Sequence, residues 1–165
     1  MCRFQKIARN PVSVALFFSL TLAGCASGNG RFGSGQPGFN AQPGTPQDFT
    51  VNVGDRVFFD LDSSSIRADA QQTLARQAQW LNRYPQYTIM VEGHADERGT
   101  REYNLALGQR RAVSARDYLI SQGVASNRMR TVSYGKERPV AVCDDISCWS
   151  QNRRAVTVIN NTSGR

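Results

Sequence analysis

Two charged residues of opposite sign set the chemistry open to this chain. On a helical wheel, residues 101–122 gather Gly108, Ala112, Ala115, Tyr118 and Leu119 on one face, and Asn104 and Arg111 fall within the same arc. Gln109, Arg110, Ser114 and Asp117 take the other side. A guanidinium drawn toward a core is costly unless an anion meets it. Arg111 therefore needs an acidic partner, from the protein or from a ligand. Asp96, just ahead of this helix, and Asp62, just after an earlier strand, are the candidates. If both loops lie at the carboxyl ends of neighbouring strands, where sites of open α/β sheets gather, a fixed cation and a fixed anion stand side by side. The unpaired N–H groups at the helix N-terminus also favour a carboxylate. Such a site suits a zwitterion, an amino-acid-like ligand with one ammonium and one carboxylate. The same residues are equally compatible with a plain Arg111–Asp96 salt bridge that binds nothing.

Hydrolytic chemistry finds less support. A zinc amidase needs several His or acidic ligands, and His94 is the only histidine. A muramidase needs two carboxylates flanking the scissile bond, whereas Asp96 and Glu97 are adjacent in a loop and point apart. No Gly-x-Ser-x-Gly elbow occurs. No catalytic residue, metal or cofactor is expected, and His94 is read as a hydrogen-bonded loop residue.

The elements that must position these residues begin near Asp48. Arg56–Phe59 is a short apolar strand. Asp69–Tyr84 is a helix, with Ala70, Leu74, Ala78 and Leu81 at helical spacing and Pro85 beyond its end. Tyr87–Gly93 is a strand rich in β-branched and aromatic residues. A polar loop, 94–100, leads into the long helix, with Thr100 as N-cap and Gly123 as stop. Strands follow at Met129–Tyr134 and Ala155–Ile159. The order predicts an α/β (α+β) sandwich: one small mixed four-stranded sheet with helices on one face.

The N-terminus sets the compartment. Arg3, Lys6 and Arg9 precede an apolar run, Val12 to Leu22, closed by Leu22-Ala23-Gly24-Cys25. This is the architecture of a secretory signal, and the run is shorter than the roughly 20 residues that span a bilayer. The closing string resembles the lipobox of bacterial lipoproteins, which makes 1–24 a signal peptide and Cys25 the lipidated first residue. Ala26, where an aspartate would retain such proteins at the inner membrane, resembles outer-membrane sorting. Residues 25–47 read as the lipidated cysteine and a flexible Gly/Pro/Ser tether, too poor in apolar groups to offset ordering entropy. Residues 48–165 form the domain. The signal takes three of the 20 basic residues and no acids, so the net charge of +7 falls to +4. The cations are spread out and the protein is exported, so no nucleic-acid partner is expected. Of the four cysteines, Cys143 and Cys148 remain. In an oxidising compartment they read as a disulfide, a short ring worth about 2 kcal/mol.

Four runs carry a resemblance to a known family. Val91–Asn104, Leu107–Ala112, Val132–Pro139 and Asn152–Arg154 resemble the OmpA C-terminal family, in its lipid-anchored, peptidoglycan-associated branch. The similarity covers roughly residues 55 to 160. It implies a domain that binds peptidoglycan without cutting it, through the diaminopimelate side chain of the stem peptide, whose end is a zwitterion. By motif, Asp96 and Arg111 are the expected binding pair, Asn104 supports the peptide backbone, and Leu107 and Arg154 join the set. Asp62 matches the family's Phe-Asp after the first strand, with Leu61 in place of the Phe. The resemblance further implies lipid anchoring in the outer membrane with the domain facing the periplasm. It also implies TolB and other Tol proteins as partners, and a Tol-Pal role in envelope integrity and outer-membrane invagination at cell division.

Overall fold

The computed structural model describes residues 41–160. The signal peptide, Cys25 and most of the tether lie outside the described residues, as do residues 161–165.

Four strands form one sheet in the order β1-β4-β2-β3: β1 (Arg56–Phe58), β2 (Thr88–His94), β3 (Met129–Gly135) and β4 (Arg154–Asn160). β4 runs antiparallel to both β1 and β2, and β2 pairs parallel with β3. The sheet is mixed, as expected from the sequence. Helices α2 (Ala68–Arg83) and α3 (Arg101–Ser121) pack on it, and β2 turns Ile89, Val91 and Gly93 into the core. Leu74 and Leu81 of α2 and Ala112 and Leu119 of α3 are fully buried there. Among the described residues no helix is long and apolar enough to cross a membrane.

The helix ends follow local chemistry. The Thr100 hydroxyl accepts the Tyr103 N–H at 3.2 Å and satisfies one of the orphan donors of α3. Gly123, at φ +90°, turns the chain out after its last turn. Between these ends α3 lies on β2 with its backbone almost touching the strand. A Cβ on Gly93 would stand 1.8 Å from the Gly108 carbonyl oxygen. That close approach holds Asn104, Leu107 and Arg111 against the carboxyl end of β2.

Three features differ from the sequence expectation. Residues 41–47, assigned by composition to the tether, join the fold at Ala41, which is buried, and at Gly44 and Thr45, which are half-buried. The carboxylate of Asp48, the last residue of the short helix α1 (Pro46–Asp48), accepts the Trp80 indole N–H and the Gly44 N–H at 2.8 and 2.9 Å. Tyr87 donates to the Gly44 carbonyl at 2.9 Å, and Phe49 sits edge-on to Trp80 at 5.0 Å. The expected boundary at 47/48 falls inside this segment, because it is held by tertiary hydrogen bonds and one buried aromatic. A helix, α4 (Ile146–Asn152), occupies what reads as loop, capped by Asp145 accepting the Ser147 N–H at 2.6 Å. His94 ends β2 and does not begin a loop.

Candidate functional site

The carboxyl ends of β1 and β2 open into a cavity of about 290 Å³ beside the N-terminal half of α3. Leu61, Asp62, Asp96, Arg98, Gly99, Tyr103, Asn104, Leu107 and Arg111 line it. Five of the six residues assigned to ligand binding from the sequence (Asp62, Asp96, Asn104, Leu107 and Arg111) therefore meet at one place.

Arg111 is fully buried, yet its partner is not an acid. Its Nε donates to the Ser63 carbonyl at 2.8 Å, Nη1 to the His94 carbonyl at 2.8 Å and Nη2 to the Asp60 carbonyl at 3.1 Å. Its Cζ stands 5.3 Å from the Phe59 ring centroid. The expected acidic partner within the protein is thus replaced by three carbonyls at the ends of β1 and β2. Carbonyl dipoles hold a cation without cancelling its charge. Burial lowers the Arg111 pKa to about 10, with Asp96 opposing the shift, so the group stays charged at neutral pH. A guanidinium has five N–H donors and three are used, which leaves two uncommitted.

Asp96, 6 % exposed, is held by other cations. Arg98 Nη2 reaches its Oδ2 at 2.5 Å and Arg153 Nη1 at 3.2 Å. Burial would raise its pKa, but the hydrogen bonds from Arg98 and Arg153 outweigh that and keep it below the usual carboxylate range. Across the cavity, the Tyr103 hydroxyl donates to Asp62, which raises the tyrosine pKa. Asp62 is the one non-glycine residue with positive φ among those described, at +51°. A short polar side chain tolerates that conformation, which turns the acid toward the cavity with Leu61 exposed beside it. Asn104 Nδ2 donates to the Arg98 carbonyl at 2.7 Å and ties α3 to the 95–99 loop. The loop is braced from its other side by Lys136, whose Nζ reaches the Glu97 and Gly99 carbonyls at 3.1 and 2.7 Å.

Arg154, the sixth assigned residue, lies elsewhere. Its guanidinium reaches the carbonyls of Asn152 and Arg138 at 3.4 and 3.1 Å, and among the described residues no carboxylate pairs with it. Its neighbour Arg153 is the one that reaches Asp96. Alternation along an extended chain explains the exchange, since consecutive residues face opposite sides. His94 is buried, and among the described residues neither ring nitrogen has a hydrogen-bond partner, although Nε2 lies 3.4 Å from Glu92. The expected hydrogen-bonded role is not seen. Burial, with the charges of Arg154 and Arg138, lowers its pKa to about 4, so it is neutral. Sequence reasoning missed Arg98 and Tyr103 as lining residues. Their signal was spacing: Arg98 lies two residues past Asp96, and Tyr103 one helical turn before Leu107.

Comparison with known proteins identifies the family and the fold. The model of the OmpA family matches residues 58–153. A Brucella melitensis protein named peptidoglycan-associated lipoprotein is 70 % identical over 168 residues, covering 97 % of this chain and 98 % of that one. The crystal structure of the peptidoglycan-associated lipoprotein from Burkholderia pseudomallei is 44 % identical with a TM-score of 0.66, covering 70 % of this chain and all of that one. The C-terminal domain of Helicobacter pylori MotB is 25 % identical with a TM-score of 0.62, over 66 % of this chain and 86 % of that one.

Proposed function

This chain belongs to the OmpA family and, within it, to the peptidoglycan-associated lipoproteins, and from that membership we propose that its folded part binds peptidoglycan non-covalently at the Arg111–Asp62–Asp96 cavity. The observation that carries the proposal is the meeting of a buried, charge-unbalanced guanidinium with two carboxylates in one small cavity. The ligand is the zwitterionic end of diaminopimelate in the stem peptide. Its carboxylate takes the two uncommitted N–H groups of Arg111. Its ammonium takes Asp96, which it shares with Arg98, and Asp62 from the opposite wall. Leu61 and Leu107 provide apolar walls for the methylenes between, and Asn104 supports the peptide backbone.

Binding proceeds without cleavage. A glycosidase acid needs a raised pKa, whereas Asp96 is held low by two arginines. The function is tethering. Fatty chains on Cys25 hold one end in the outer membrane while the domain, facing the periplasm, grips the wall. Joining two moderate contacts by a linker raises the effective concentration of each. As in the family it belongs to, TolB and the other Tol proteins are the second set of partners. Passing the domain between TolB and the wall couples outer-membrane invagination to division and maintains envelope integrity.

The test is co-sedimentation of the protein with purified diaminopimelate-containing sacculi. The expected result is binding with no soluble muropeptides released, weakened by Asp62→Asn and by sacculi in which lysine replaces diaminopimelate. Release of fragments, or equal binding to both walls, would overturn the proposal.

A further inference from the structure

Outside the cavity, the chain after β3 folds into a compact brace. The sulfurs of Cys143 and Cys148 are bonded, with Cα atoms 5.7 Å apart. At the other end of the brace the buried Asn152 side chain accepts the Val140 N–H at 2.9 Å and donates to the Ala141 carbonyl at 2.8 Å. Cystine and asparagine together clamp residues 140–152 around α4. None of these residues lines the cavity.

Two side chains lead from this brace to the 95–99 loop. Trp149, one residue past the cystine, donates its indole N–H to the Glu97 carboxylate, and the Arg98 guanidinium lies over its ring, 4.1 Å from the centroid. Arg98 in turn holds Asp96 Oδ2 at 2.5 Å. Arg153, just beyond α4, reaches the same oxygen at 3.2 Å and anchors itself on the Phe59 carbonyl at 3.2 Å. Arg98 is 38 % exposed, so without its platform this long side chain would sample many rotamers, few of which meet Asp96.

We infer that Trp149 and the Cys143–Cys148 disulfide form a positioning device for the binding cavity: the disulfide holds α4, Trp149 holds Arg98, and Arg98 sets how Asp96 is presented to the ammonium of the ligand. The inference rests on the diaminopimelate reading above. A disulfide that only stabilised the fold would need no aromatic contact with the loop carrying the binding acid. Here the residue next to Cys148 makes two contacts to that loop, and Arg153 makes a third to Asp96.

The experiment titrates the full-length protein with a tetrapeptide muropeptide carrying meso-diaminopimelate, in parallel with circular dichroism and thermal unfolding. Trp149→Ala and the double variant Cys143→Ser/Cys148→Ser should each weaken binding by about 3- to 10-fold, the scale of a lost cation–π contact and one hydrogen bond. Trp149→Phe keeps a ring under Arg98 and should lose about 2-fold at most. In an Arg98→Ala background, removing the disulfide should change affinity no further, a readout that general loosening of the fold would not give. Unchanged affinity with only a lowered Tm, or an equal loss in the Arg98→Ala background, would overturn the inference while leaving the binding proposal standing. Failure of the unaltered protein to bind the muropeptide would overturn both.

Discussion

Arg111→Ala is expected to destabilise the domain as well as to disable the site. The guanidinium satisfies the carbonyls of Asp60, Ser63 and His94 at 3.1, 2.8 and 2.8 Å, and the side chain is fully buried. A buried acceptor left without its donor costs about 1–3 kcal/mol. Carbonyls have two lone pairs and water can enter the vacated space, so the lower part of that range applies to each. The three together then cost about 3–5 kcal/mol, a large share of the 5–15 kcal/mol that holds a typical domain together. For a domain of this size that lowers Tm by roughly 10–20 °C. Arg111→Lys keeps the charge and one or two of the three contacts, and should lose about half as much. It also loses the planar fork for a carboxylate, so its affinity for the muropeptide should fall about 10-fold or more. Urea unfolding followed by circular dichroism gives the first quantity and titration calorimetry the second. An Arg111→Ala protein that melts within 2 °C of the unaltered one would refute the reasoning, since the three carbonyls would then not depend on this side chain.

Asp62 offers the cleaner probe of binding: Asp62→Asn should cost about 10-fold in affinity with Tm unchanged. It should also release Tyr103, returning its hydroxyl toward the ordinary tyrosine range in an ultraviolet titration. His94 makes stability pH-dependent. Its pKa falls from 6.5 to about 4 on folding because it is buried near Arg154 and Arg138, so the folded state refuses a proton that the unfolded chain accepts. That stability is whole above pH 6.5 and is lost as pH falls toward 4, by about 3 kcal/mol at most. His94→Gln should flatten the urea midpoint across this window, and an unchanged slope would count against the burial argument. Gly93→Ala places a methyl 1.8 Å from the Gly108 carbonyl and should cost 3 kcal/mol or more. Because α3 must lift to accept it, thermal unfolding and muropeptide affinity should fall together.

The fold was legible where the local signals were strong. Thr100 and Gly123 bounded α3 because capping and left-handed exit are chemistries of single residues, and the apolar spacing of α2 gave its buried face. The N-terminal segment 41–47 was not legible as part of the fold. Its order depends on Asp48 meeting the Trp80 indole N–H, 32 residues away, and no local pattern encodes that. Helix α4 was hidden for a similar reason, being only seven residues long and built around a disulfide. At the site, the wheel identified Arg111 as a buried cation but could not say what met it. Backbone carbonyls carry no sequence signature, so an acid was the natural expectation. Arg154 was preferred to Arg153 because one position of register decides which arginine reaches Asp96.

How the two charges are separated bears on whether this is a binding site at all. Had Arg111 and Asp96 paired with each other, each would have been neutralised inside the protein, and a ligand would have had to break a buried ion pair, which costs 3–5 kcal/mol when one partner is removed. The fold avoids that pairing. Asp96 is assigned to Arg98 and Arg153, and Arg111 to three carbonyls. A guanidinium held by dipoles keeps its positive field at the cavity wall, and Asp96, held in place by Arg98 and Arg153, keeps carboxylate lone pairs to share with an ammonium. A ligand carrying both charges gains from both walls at once, whereas a simple amine meets the positive field of Arg111 and a simple acid meets Asp62 and Asp96. The arrangement therefore selects for a zwitterion by penalising each half alone. Butylamine and acetate, each carrying one of the two charges, should accordingly compete with the muropeptide far more weakly than diaminopimelate does, and competition of equal strength by either one would show that the cavity does not read the two charges jointly.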